Sequence, residues 1–225
     1  MMGRSQFYGT PFEQKYGGSL DTPIHPRDIA AIIPWATDTN FYCPNGRAPE
    51  DYLLWISRPT DYKGLGIAIE VARRTRMPLK VSPGIGITEH SREFQVYKDQ
   101  ITQAISDGAS IEIIKLPLNS KHHLLKRQLY RGARALIYPI GAHEPFGLVL
   151  IEALACGTPV IAYHRGAIPE IVQDNKTGFI CETIDQLTQA VSSLGQINRQ
   201  DCRDDAVTRF HYLVAASKYI RMLEN

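Results

Sequence analysis

Five short apolar runs, Tyr52 to Ile56, Leu79 to Ser82, Ile111 to Leu116, Ala135 to Ile140 and Val160 to Tyr163, alternate with stretches whose apolar residues recur at helical spacing. Apolar runs of this length, bounded by turn residues, read as strands covered on both faces. Between and after them the period lengthens. Phe94, Tyr97, Ile101 and Ile105 form one stripe, and Val207, Phe210 and Val214 another, which are the core faces of amphipathic helices. Such βα alternation predicts an α/β fold built on a doubly wound parallel sheet.

The pattern fails before about residue 48, where Pro11, Pro23, Pro26, Pro34, Pro44 and five glycines interrupt every period. The expected organisation is therefore an irregular arm or linker over 1–48, a sheet domain over 49–204 and a C-terminal helix over 205–225. A chain of 225 residues, 44% hydrophobic and 21% charged, suits one sizeable core with an extended arm. The net charge of +2 gives no electrostatic footprint for nucleic acid. Cys43, Cys156, Cys181 and Cys202 are scattered without a CxxC pair, which speaks for a reducing compartment. No apolar run reaches membrane-spanning length, and Met1 to Gln6 lacks a signal-peptide core, so a soluble cytoplasmic protein is expected, with peripheral membrane contact left open.

The segment His143 to Val160 carries the most chemistry, because Glu144 and Glu152 stand eight positions apart around Gly147. If Ala135 to Tyr138 is a strand and Gly147 to Cys156 the next helix, Glu144 lies in the turn between them and Glu152 inside the helix. Phe146, Gly147 and Leu148 then supply free N–H groups of the first turn, a place that attracts anions and hydroxyls. Carboxylates accept hydrogen bonds from vicinal diols, so one can hold a ribose and the other a hexose. Taken singly, Glu144 reads first as a residue favouring the helix dipole and Glu152 as a solvated helix position.

With its neighbours the segment resembles the Glu-x7-Glu signature of retaining glycosyltransferases of the two-domain GT-B fold, family 4. Arg58-Pro59-Thr60-Asp61-Tyr62-Lys63 is similar to that family's Arg-x4-Lys element, and Arg165-Gly166-Ala167-Ile168-Pro169-Glu170 with Thr177 to Ile180 to its Gly-Gly-x-Pro-Glu loop and closing strand. Ile32 to Phe41 resembles the segment leading into the family's C-terminal domain, with Trp35-Ala36 in place of Asn-Gly. The resemblance implies a Rossmann-like sheet, one half of a GT-B fold, that binds a UDP-sugar, GDP-sugar or similar donor and transfers a hexose with retention. Arg58 and Lys63 would hold the diphosphate, Glu152 the ribose and Glu144 the sugar hydroxyls, with the amides of Phe146, Gly147 and Leu148 completing the site. A forked guanidinium and a point charge suit that task, since they offset the charge on a departing nucleotide; as a bare pair they also read as surface residues flanking a turn.

The resemblance further implies no cofactor beyond the donor and no metal, in keeping with the absence of an Asp-x-Asp motif. It implies an acceptor-binding N-terminal domain or partner chain that has no counterpart before residue 50, leaving activity of this chain alone doubtful and self-association open. The alternatives are a non-catalytic nucleotide-sugar-binding regulatory subunit, a degenerate fragment, and a structural partner without ligand. Pro83-Gly84-Ile85-Gly86 after the second strand reads as a turn or ligand loop, and Leu116 to Ser120 falls where the family frames the base. His122-His123 lacks the context of a metal site and reads as a solvated face, and His143 adjoins Glu144 without an assigned role.

Overall fold

The computed structural model describes residues 32–84, 92–119 and 121–224. Most of the arm, Ile85 and Gly86, Ser120 and the Phe94 side chain lie outside the described residues. Residues 34–216 form one compact unit, to which the site belongs; the described residues of a second unit are 32–33 and 217–224.

The sheet of the larger unit has six strands: β1 (Leu53–Ser57), β2 (Leu79–Pro83), β3 (Ile111–Ile113), β4 (Ala135–Tyr138), β5 (Val160–Tyr163) and β6 (Gly178–Cys181). Their spatial order is β3-β2-β1-β4-β5-β6 and all pairings are parallel, as the apolar runs predict. The helices are α1 (Leu65–Thr75), α2 (Arg92–Ser106), α3 (Lys121–Gly132), α4 (Leu148–Ala155), α5 (Ile168–Ile171), α6 (Ile184–Ser193), α7 (Arg199–Phe210) and α8 (Tyr212–Leu223). Leu53, Leu54, Trp55, Leu136, Ile137, Val160 and Ile161 are fully buried, because helices cover both faces. Helix α4 is apolar on nearly every side, since it packs against both the sheet and α7.

Two elements differ from the sequence pattern. Strand β3 stops at Ile113 rather than Leu116: it is an edge strand, Ile114 N–H still bonds Val81 O at 2.8 Å, and Pro117 soon removes a donor. The helix expected over 205–225 is broken at His211, whose backbone is extended at φ −66° and ψ 139°. There Thr37 forms a parallel bridge with His211, and its N–H bonds Phe210 O at 2.9 Å. A tertiary contact thus takes a carbonyl that a continuous helix would use.

Residues 37–43, in the stretch expected to be an arm, are tied to the helices by three arginines. Arg203 donates to the carbonyls of Thr39 and Tyr42, Arg127 to that of Phe41 and Arg131 to that of Cys43. Tyr42 lies in the core at 4% exposure.

Candidate functional site

Strand order runs outward from β1 to β3 on one side and from β4 to β6 on the other. The carboxyl ends of β1 and β4 therefore flank the point where the winding reverses, the crevice in which open α/β sheets receive ligands. The turn after β1 carries Arg58 and Lys63, and the turn after β4 carries Glu144.

These two turns are locked together through their backbones. Gly141 N–H donates to Tyr62 O at 2.7 Å, while the Trp55 indole on β1 donates to Lys63 O at 3.1 Å and steadies the first turn. Gly64 has φ +73°, and a Cβ there would stand 2.1 Å from Pro139 O, so only glycine permits the approach. Lys63 Nζ consequently reaches Glu144 Oε2 at 2.9 Å and the Tyr138 hydroxyl at 2.7 Å, while that hydroxyl donates to the same Oε2 at 2.5 Å. Burial, and then the Glu144 carboxylate, push the Tyr138 phenol well above its ordinary range, which keeps it a donor.

A third loop supports Glu144 from behind. Ala167 N–H donates to Glu144 O at 2.8 Å, and at Gly166, with φ +58°, a Cβ would meet that same oxygen at 2.3 Å. The Arg165 to Glu170 segment, read from sequence as a loop motif, thus acts as a backbone buttress. The Arg58 side chain is exposed and makes no hydrogen bond or ion pair among the described residues, while its carbonyl accepts from Thr60 N–H at 2.9 Å. The end of β2 runs beside it, with Gly84 N–H on Ser57 O at 2.9 Å.

Helix α4 begins after Gly147, which caps it with φ 94°. The amides of Phe146, Gly147 and Leu148 have no hydrogen-bond partner among the described residues, while Leu150 N–H already closes on Gly147 O. Aromatic packing holds the turn in place: the Phe146 ring sits 6.1 Å from Trp35 and 6.2 Å from Phe210.

Glu152, 7% exposed, faces α3. Its Oε2 takes Lys126 Nζ at 2.5 Å and the Tyr130 hydroxyl at 2.9 Å. Tyr42 lies alongside and bonds His123 Nδ1 at 2.9 Å. The sequence pattern did not single out Lys126, Tyr130 or Tyr138. The first two are four positions apart on one helix, a spacing that puts them on one face, but nothing in the chain order says which carboxylate that face meets. His143 is exposed, and among the described residues no three of His, Cys, Asp and Glu gather as metal ligands. Burial pushes the thiols of Cys156 and Cys202 up to about 12 and that of Cys181 to about 11, so none serves as a thiolate nucleophile. The arrangement is one for binding and for stabilising charge.

A family model described as glycosyl transferases group 1 matches residues 45–205. The chain belongs to that family. Among characterised relatives, N-acetyl-alpha-D-glucosaminyl L-malate synthase of Bacillus anthracis is 48% identical over 91 residues, 36% of this chain and 24% of that protein. The D-inositol 3-phosphate glycosyltransferase of Mycobacteroides abscessus is 31% identical over 141 residues, 61% of this chain and 30% of that protein. The chain thus spans well under half the length of these two relatives. Among solved structures its Rossmann-like sheet superposes on about half of sucrose-phosphate synthase from Thermosynechococcus elongatus, with TM-score 0.72 and 20% identity over 86% of this chain and 52% of that one. Anabaena HepE, solved with UDP and glucose, superposes with TM-score 0.71 and 19% identity over 87% and 56%. The C-terminal domain of a group 1 glycosyl transferase from Francisella tularensis matches over 78% of this chain and 98% of its own, with TM-score 0.62 and 24% identity. Among the described residues no helix is long and apolar enough to cross a membrane.

Proposed function

We propose that this glycosyltransferase chain holds the nucleotide-sugar donor for a retaining hexosyl transfer, the acceptor being held by a second domain or a partner chain. Arg58 and Lys63 bind the diphosphate, Glu152 takes the ribose diol, and Glu144 with the amides of Phe146, Gly147 and Leu148 takes the sugar hydroxyls. One observation above all supports this reading. Lys63 and Glu144, from turns after two different strands, meet at 2.9 Å at the reversal point, within one turn of the free amides that open α4.

In the reaction an acceptor hydroxyl oxygen replaces the diphosphate oxygen at the anomeric carbon, the hydroxyl loses its proton, and the electron pair of the broken bond stays on the phosphate. Fixed cations that meet this growing charge lower the barrier. Arg58, unpaired at the end of β1, can fork two phosphate oxygens. Lys63 has three N–H donors, two of which Glu144 and Tyr138 use, which leaves a third for a phosphate oxygen. With two fixed charges in place, a divalent ion is dispensable for binding. The solved HepE complex with UDP and glucose makes a UDP-sugar the first donor to try.

Calorimetry and thermal shift with UDP, GDP, ADP and their sugar conjugates test the reading. Glu152→Ala is expected to weaken the nucleotide and its conjugate alike, and Glu144→Ala mainly the conjugate. No stabilisation by any of them at millimolar concentration would overturn it.

A further inference from the structure

Around Glu152 the structure builds more than a ligand-facing carboxylate needs. Lys126 and Tyr130, one helical turn apart on α3, both meet Oε2, the ammonium as an ion pair at 2.5 Å and the hydroxyl as a hydrogen-bond donor at 2.9 Å. The Lys126 ammonium also lies 5.9 Å above the Tyr130 ring. Side-chain exposures are 16% for Lys126 and 9% for Glu152, so this ion pair is largely out of water. Tyr42 packs against Tyr130 with ring centroids 6.1 Å apart and bonds His123, which closes the far side. Burial first, then the Glu152 carboxylate, hold the phenols of Tyr42 and Tyr130 far above their ordinary range, so both stay protonated donors. An ion pair and a hydrogen bond on the same oxygen hold the carboxyl group and leave Oε1 for other partners.

We infer that Lys126 is a positioning residue for the nucleotide: with Tyr130 it clamps Oε2 of Glu152, so that the other oxygen meets a cis-diol at a set angle. The inference rests on the reading of Glu152 as the ribose carboxylate. It adds a residue from a different helix, one that touches no part of the ligand, as a determinant of the preference for a ribose diol. A lysine in this place does two things. It lets an acidic side chain remain in a buried position, and it makes that side chain a strong, oriented acceptor. A purely structural ion pair would do the first without the second.

The two cases separate in the ratio of two affinities. For whichever of UDP, GDP and ADP binds best, affinity is measured for that nucleotide and for its 2′,3′-dideoxy counterpart, which carries the same phosphates and base. The wild-type chain should prefer the diol by about tenfold or more, the size expected for hydrogen bonds to a charged acceptor. Lys126→Met should reduce that preference to about threefold or less while leaving dideoxynucleotide affinity within about twofold, and Lys126→Arg should restore most of it. Thermal unfolding of each variant checks that the fold persists. If Glu152→Ala keeps the preference, or no nucleotide binds, the assignment of Glu152 itself fails and the inference falls with it. If Glu152→Ala loses the preference and folded Lys126→Met retains it, the ribose assignment stands and the role of Lys126 is refuted. Loss of affinity for both nucleotides in equal proportion also refutes it, since that is the mark of a structural pair.

Discussion

Glu144 and Glu152 each receive a lysine ammonium and a tyrosine hydroxyl on the same oxygen, Oε2, yet different parts of the chain hold them there. Glu144 stands on a turn, and its position depends on backbone packing: Gly64 against Pro139, Gly166 against Glu144 itself, Gly141 bonded to Tyr62. Glu152 stands inside α4, where the helix sets the backbone and only side chains from α3 complete the environment. The contrast shows two ways of fixing a buried carboxylate. One relies on loops that only glycine can bring close enough, the other on a rigid element and its neighbour.

The loop-held half should be the more fragile to backbone change. Gly166→Ala forces a left-handed backbone on alanine and drives its Cβ to 2.3 Å from Glu144 O, at an expected cost of about 2–4 kcal/mol. Gly46→Ala, also at positive φ but with nothing within 4 Å, supplies the control and should cost only about 1–2 kcal/mol. Urea unfolding of both variants measures the difference; equal losses would show that the loop does not buttress Glu144.

Charge deletion probes the two halves next. Lys63→Met leaves Glu144 buried with only Tyr138, and should destabilise by about 2–3 kcal/mol, whereas Lys63→Met with Glu144→Leu should lie closer to wild type than either single variant. The same cycle at Lys126 and Glu152 should give a smaller loss for the Glu152 single variant, because leucine or alanine at 152 favours the helix that holds it. A cycle in which both pairs behave identically would show that the supporting backbone matters little.

The two halves also bring the charges proposed to face the nucleotide, which makes a metal test informative. Nucleotide affinity measured with excess EDTA and with magnesium or manganese should differ by less than about tenfold, or roughly 1.4 kcal/mol. A larger loss on chelation would mean that an ion, rather than Arg58 and Lys63, neutralises the diphosphate.

The smallest effect concerns pH and only the Glu152 half. His123, with a pKa below the ordinary 6.5 through burial first and then through His122 and Lys126, shares a hydrogen bond with the Tyr42 hydroxyl through Nδ1. Its folded state holds the proton less tightly than the unfolded chain, so between the two pKa values the unfolded state binds more protons. Stability should therefore be full above the unfolded value, fall as pH drops through about 6.5, and level off below the folded value. His123→Gln should flatten that slope, and an NMR titration of His123 that shows a pKa above 6.5 would reverse the sign.

Much of this arrangement is written in the sequence. The short apolar runs determined the number and kind of strands from β1 to β5, because a strand covered on both faces needs apolar residues throughout. The spacing of Glu144 and Glu152 around Gly147 determined that one carboxylate lies before α4 and one within it, because a helix start fixes the position of everything one turn on. Arg58 and Lys63 stood out through their resemblance to the family's Arg-x4-Lys element, and Glu144 through its spacing from Glu152. Strand order was not legible, and only that order brings the turn after β1 beside the turn after β4, eighty positions later in the chain. The Lys63–Glu144 pair, the break at His211 made by Thr37, and the clamp of Lys126 and Tyr130 on Glu152 all join residues distant in sequence. Local pattern carries the periodicity and turn chemistry of each element. Which side chains then share an oxygen is decided by how the sheet winds and which helix face it leaves opposite, and that is a property of the packed chain alone.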